Sequence, residues 1–154
     1  MSIRRSAAMS NRFVVPVLAY VIPTFILGFV WHLVLFERYY ADLAMYRADI
    51  VIPFGLASML IQAVLFALAY DGLFAGSNRS LVWKTFAYAF FGAALSWSFT
   101  TLAVAAKNVM SSVPDYLVIE TAFTVVQWAL VAPLTALAFA GSKRGRLQRP
   151  TAAV

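Results

Sequence analysis

The chain has 154 residues, of which 63% are hydrophobic and only 12% charged, with a net charge of +6 and no cysteine. A soluble domain carries roughly 25% charged residues, so water is not the main solvent of this one. The missing cysteines exclude disulfide staples, thiolate catalysis, Cys-ligated zinc and iron–sulfur clusters.

Residues 1–12 form a basic tail, expected to be mobile and cytoplasmic, with Arg4, Arg5 and Arg12. An apolar stretch over about 13–36 follows. It has the ~20 residues that a helix needs to cross a ~30 Å hydrocarbon layer. It is too long for a signal-peptide core and ends on Trp31, His32 and Leu33 rather than on small residues, so it reads as an uncleaved span. Pro16 and Pro23 lie inside it, and a kink is expected near Pro23. The connection to Asp49 carries Tyr39, Tyr40 and Tyr46, which read as an interfacial aromatic belt on a short surface helix.

The second span covers about 50–70, with Pro53 in its first turn. Asp71-Gly72 and Gly76-Ser77-Asn78 predict a flexible turn. A third span covers about 82–106, and Lys84 near its start can snorkel to lipid head groups. Asn108 to Pro114 form a second outer turn, and the fourth span covers about 116–140. Residues 142–154 are a second basic tail, expected to be disordered from about Arg146.

Nine of the twelve basic residues lie in the two tails and the 71–84 connection; Arg38, Arg47 and Lys107 lie on the other side. The positive-inside rule then puts both termini in the cytoplasm. The expected fold is an all-α integral membrane protein, an up-down-up-down bundle of four helices spanning residues 13–141. The basic tails meet anionic lipid head groups rather than nucleic acid, since no aromatic-rich basic groove accompanies the charge. A faint repeat pairs Val21-Ile22-Pro23 with Val51-Ile52-Pro53 and aligns His32 with Gln62 and Tyr40 with Tyr70.

Polar residues within spans usually face the bundle interior. Each span has a polar stripe at helical spacing: Gly28 and His32; Gly55, Ser58 and Gln62; Ser96, Thr100 and Lys107; Glu120, Thr124 and Gln127. By depth, His32, Lys107 and Glu120 form one cluster near the outer face, and Gln62, Ser96 and Gln127 meet near the midplane. Two readings stay open, interhelical hydrogen bonding and a small polar cavity that handles protons or a ligand. One histidine with carboxylates is an incomplete metal or haem ligand set, and no cofactor is named by any motif. The four tryptophans read as belt and packing residues before a pigment or quinone site. Gly92 and Ser96 make a small-xxx-small pair, a face for close helix or subunit contact.

Leu27-Gly28-Phe29-Val30-Trp31-His32, followed by Leu35-Phe36, and the acid in Ile119-Glu120-Thr121-Ala122 resemble a pattern in small bacterial four-span membrane proteins of uncharacterised function. The resemblance implies a bacterial inner-membrane location and supplies no activity to carry over. Small multidrug exporters carry a mid-span glutamate in their first helix, which this chain lacks; vitamin K epoxide reductase relatives need cysteines. The expected function is therefore non-catalytic: an accessory subunit or homo-oligomeric component of a membrane complex. A small transporter or channel using the polar cluster is the alternative. An enzyme acting on a lipid or quinone ranks last, because no nucleophile–base–orienter set is present.

Overall fold

In the computed structural model, residues 3–47 and 49–147 are described, with side chains for 12–47 and 49–141. The described residues are helical with no strands, and four helices are long and apolar enough to cross a membrane: Arg12–Leu35, Ile52–Ala75, Leu81–Ala105 and Val113–Gly141. Helix α1 (Ile3–Val30) passes into a wider turn, Trp31–Leu35, and the short α2 (Glu37–Leu43) follows. Helix α3 (Ile52–Ala69) is extended by Tyr70–Ala75. Helix α4 (Leu81–Ser96) continues through Trp97–Leu102 into α5 (Ala103–Ala105), and α6 (Val113–Leu147) completes the chain.

Local chemistry sets these boundaries. The Ser80 hydroxyl accepts from the Trp83 amide at 3.2 Å and caps α4. Pro53 occupies the first turn of α3, where the missing N–H has no helical partner anyway. Ser112 accepts from the Asp115 amide at 3.3 Å at the start of α6. Helix α2 stops at Ala44, which adopts a left-handed conformation with φ of 54°.

The segments 31–35, 70–75 and 97–102 are π-helical, closed by hydrogen bonds five residues apart; the Phe36 amide donates to the Trp31 carbonyl at 3.0 Å. Such turns are rare and recur at functional sites. Each shifts the residues beyond it around the helix axis relative to an unbroken 3.6-residue period.

Helix α6 is the hub. It packs against α1 and α4, and α3 packs on α1. Accordingly 44% of its apolar window is buried, against 17–22% in the other three spans. The larger core gathers Tyr20, Phe66, Tyr70, Tyr88, Trp128 and Phe139 with small residues such as Ala63, Ala132 and Ala136. Trp128 is 1% exposed and makes edge contacts with Phe66, Tyr88 and Tyr20 at ring separations of 4.7, 5.4 and 6.0 Å. Gly92 on α4 faces this ring so closely that a Cβ there would overlap it. The small-xxx-small face of Gly92 and Ser96 is thus occupied by α6 of the same chain.

At one end of the bundle, Arg12 pairs with Asp71, Tyr70 stacks on Phe139 at 4.9 Å, and Lys84 donates to the Ala75 carbonyl at 3.5 Å. At the other end a second core of Tyr40, Leu43, Tyr116 and Ile119 joins α2 to α6, and the Ser111 amide donates to the Leu43 carbonyl at 3.0 Å.

Several expectations are corrected. The first helix begins at Ile3, inside the segment expected to be a mobile tail, and the backbone of α6 is helical to Leu147. Residues 148–154 lie outside the described residues. The turn expected at Asp71-Gly72 is helical to Ala75, with Asp71 held by Arg12. The repeated Val-Ile-Pro triplets are not structurally equivalent: Pro23 is deep inside α1, whereas Pro53 sits in the first turn of α3.

Candidate functional site

Among the described residues, three networks link the spans through residues of the expected polar stripes, and the Trp97 indole N–H also donates to the Thr121 hydroxyl at 2.9 Å. The first lies where the first π-turn meets α6 and α2. His32 Nε2 is 3.3 Å from Glu120 Oε1, and the Tyr40 hydroxyl donates to the same oxygen at 2.7 Å. His32 Nδ1 is 2.9 Å from the Gly28 carbonyl, one helical turn back. The imidazole is packed between the rings of Tyr40 and Phe123, with centroids 4.7 and 4.6 Å away. Tyr46 stacks on Tyr40 at 5.3 Å and closes the group. The side chains of His32 and Glu120 are 19% and 9% exposed, so the pair is largely sealed from solvent. Burial, reinforced by the charge and hydrogen bond of Glu120, pushes the Tyr40 phenol above its ordinary value. Tyr40 therefore keeps its proton and acts as a fixed donor to Glu120.

The second network crosses the middle of the bundle. The Tyr20 hydroxyl donates to Gln62 Oε1 at 3.0 Å and accepts from Gln127 Nε2 at 3.5 Å. Gln127 also donates to the Thr24 hydroxyl at 3.4 Å, and Gln62 Nε2 donates to the Ser58 hydroxyl at 2.9 Å. This relay joins the second, first and fourth spans. In the third network the Trp128 indole N–H donates to the Ser96 hydroxyl at 3.2 Å, joining the third span to the fourth.

The structure thus brings His32 to Glu120, and Gln62 to Gln127 through Tyr20. It does not bring Lys107 or Ser96 to them. Lys107 is exposed beyond the end of α5, where its amide closes a turn onto the Val104 carbonyl. The π-turn over Trp97–Leu102 breaks the helical period that had placed Lys107 on the Ser96 face. Ser96 serves Trp128 instead of the glutamines. The Thr124 hydroxyl is turned onto its own helix and donates to the Glu120 carbonyl at 2.8 Å. Thr100 is exposed and does the same toward the Ser96 carbonyl at 2.8 Å.

Sequence reading missed Tyr40, which it had placed in the aromatic belt; Tyr40 is 1% exposed. The spacing from His32 through Phe36 to Tyr40 was no guide, because the π-turn and the non-helical Phe36 interrupt the helix between them. Tyr20 was missed because a tyrosine within an apolar run reads as packing. Among the described residues no three His, Asp or Glu side chains gather as a metal-binding group. No protein-family model, curated protein or solved structure matches the chain.

Proposed function

We propose that this protein is a non-catalytic component of a bacterial inner membrane. It crosses up-down-up-down with both termini in the cytoplasm and serves as an accessory subunit of a larger membrane complex or as a homo-oligomeric unit. One observation carries the reading: the polar side chains at mid-bundle are bonded to one another across helices. Gln62, Tyr20, Gln127 and Thr24 satisfy each other, and Ser96 satisfies Trp128. Such bonds average about 0.6 kcal/mol in a membrane and serve to fix helix positions. The outer faces stay broadly apolar, with Phe54, Phe86, Phe90 and Phe99 all more than two-thirds exposed, available to lipid or to the helices of a partner.

Purification from the native membrane in mild detergent, with mass spectrometry of co-purifying proteins and lipids, tests the reading. A stoichiometric protein partner or a defined oligomer is expected; a monomer that purifies alone refutes it. The cysteine-free chain also suits labelling of single introduced cysteines. Asn108→Cys is expected to react with an impermeant reagent from outside the cell, and Asn78→Cys only after permeabilisation.

A second reading, a small transporter, is favoured by the His32–Glu120–Tyr40 group at one end of the bundle. It requires that Gln62→Leu abolish flux in proteoliposomes while the protein still folds.

A further inference from the structure

His32 is the single histidine of the chain. Its hydrogen bonds fix how many protons its site must hold. Nδ1 is 2.9 Å from the Gly28 carbonyl oxygen, which can only accept, so Nδ1 carries a hydrogen. Nε2 is 3.3 Å from Glu120 Oε1. An ionised carboxylate also only accepts, and a neutral imidazole protonated at Nδ1 presents a bare lone pair at Nε2. Those two forms cannot bond to each other. The hydrogen of Tyr40 does not help, since it is already donated to Oε1. The contact therefore needs one further proton, carried by Nε2 as an imidazolium–carboxylate pair or by Glu120 as a neutral acid donating to Nε2.

We propose that His32 and Glu120 form a one-proton binding site that ties the π-turn of the first span to α6. With the proton bound, the two helices are joined by a charge-assisted or neutral hydrogen bond. When the proton leaves, two acceptors face each other in a largely sealed site, and the tie is lost. The rings of Tyr40 and Phe123 lie against the imidazole, with centroids 4.7 and 4.6 Å away, and hold it at Glu120. The titratable groups facing the pair are Tyr40 on α2, Tyr46 in the segment after it, and Tyr116 on α6, whose phenol interacts with Glu120. From the second span, Met59 is what lies against Gly28. Glu37, Arg38, Asp42, Arg47, Asp49, Lys107 and Asp115 at the same end are exposed.

What the tie controls is the Trp31–Leu35 turn. That turn holds one residue more than an α-helical turn would; His32 gives it its hydrogen bond to α6, beside the packing of Trp31 on Phe123 at 5.8 Å. Loss of the proton removes this hydrogen bond and loosens the segment, leaving the ring packing of Trp31 and His32 on Phe123, while Tyr40 stays bonded to Glu120, so α2 remains docked. The site is thus a pH-sensitive joint between the first span and the rest of the bundle, whether the protein works as a subunit or as a transporter.

The test uses the full chain with nitrogen-15 histidine in lipid nanodiscs. Because there is one histidine, each ring nitrogen gives one signal. Across a pH titration the neutral ring is expected to carry its hydrogen on Nδ1, the reverse of the preference of free imidazole. Amide hydrogen exchange of residues 31–36, taken as a ratio to residues 20–26 of the same helix, is expected to rise in step with the deprotonation of the site. In Glu120→Gln the amide N–H can donate to Nε2 with no titrating proton, so that rise is expected to vanish. A neutral ring with its hydrogen on Nε2 overturns the proposal. So does an exchange profile that Glu120→Gln leaves unchanged. If that variant does not fold, the tautomer of the wild-type ring decides alone.

Discussion

Gly92→Ala probes the close contact of α4 with α6. The added Cβ would meet the outer edge of the Trp128 six-membered ring. That ring has little room to retreat: Phe66, Tyr88 and Tyr20 bound it, and its N–H is held by Ser96 at 3.2 Å. Overpacking a filled core costs about 1–3 kcal/mol, and this site belongs at the upper end. Alanine in place of glycine returns about 1 kcal/mol of helix propensity. The expected net loss is about 2 kcal/mol, a factor of roughly 30 in the folded-to-unfolded ratio. Reversible unfolding in mixed micelles with increasing denaturing detergent, followed by far-UV circular dichroism, measures it. Trp128→Phe removes the ring edge that the new methyl would strike. In the double variant the losses are then expected to fall short of additive by more than about 1 kcal/mol. A Gly92→Ala protein as stable as wild type, or strictly additive losses, would refute the packing of α4 on α6 described above.

Two further predictions concern the polar networks. Tyr20→Phe removes the donor to Gln62 and the acceptor of Gln127, and is expected to cost about 1 kcal/mol in the same unfolding assay. Adding Tyr20→Phe to a Gln62→Leu/Gln127→Leu background is expected to cost far less; an undiminished effect there would show that the relay does not exist. Tyr40, outside the spans, holds its proton more tightly folded than unfolded, because burial and then Glu120 raise its phenol. Above the ordinary tyrosine value of about 10 the unfolded chain releases this proton while the folded one keeps it, so stability falls as pH rises from there. Tyr40→Phe is expected to flatten that alkaline limb and, by removing a donor to Glu120, to cost about 1–3 kcal/mol at neutral pH. An unchanged limb would place the Tyr40 hydroxyl in water.

The sequence by itself determined that four helices can cross a membrane, because uninterrupted apolar length near 20 residues is a local property that hydrocarbon solvent enforces on each segment separately. It also determined that His32, Gln62, Glu120 and Gln127 lie within or at the ends of those spans. Tertiary structure alone decided which of them meet. Helical periodicity places a residue on a face only while the helix stays regular, and the π-turns at 31–35 and 97–102 reset that phase without any marker in composition. Lys107 left the expected cluster for this reason. Tyr40 entered it because α2 folds back onto α6, and Tyr20 joined two glutamines because α1 packs between α3 and α6. In an apolar chain nearly every surface suits every other. The choice of neighbours therefore rests on shape, such as Trp128 over Gly92, and on a few hydrogen bonds that no linear pattern records.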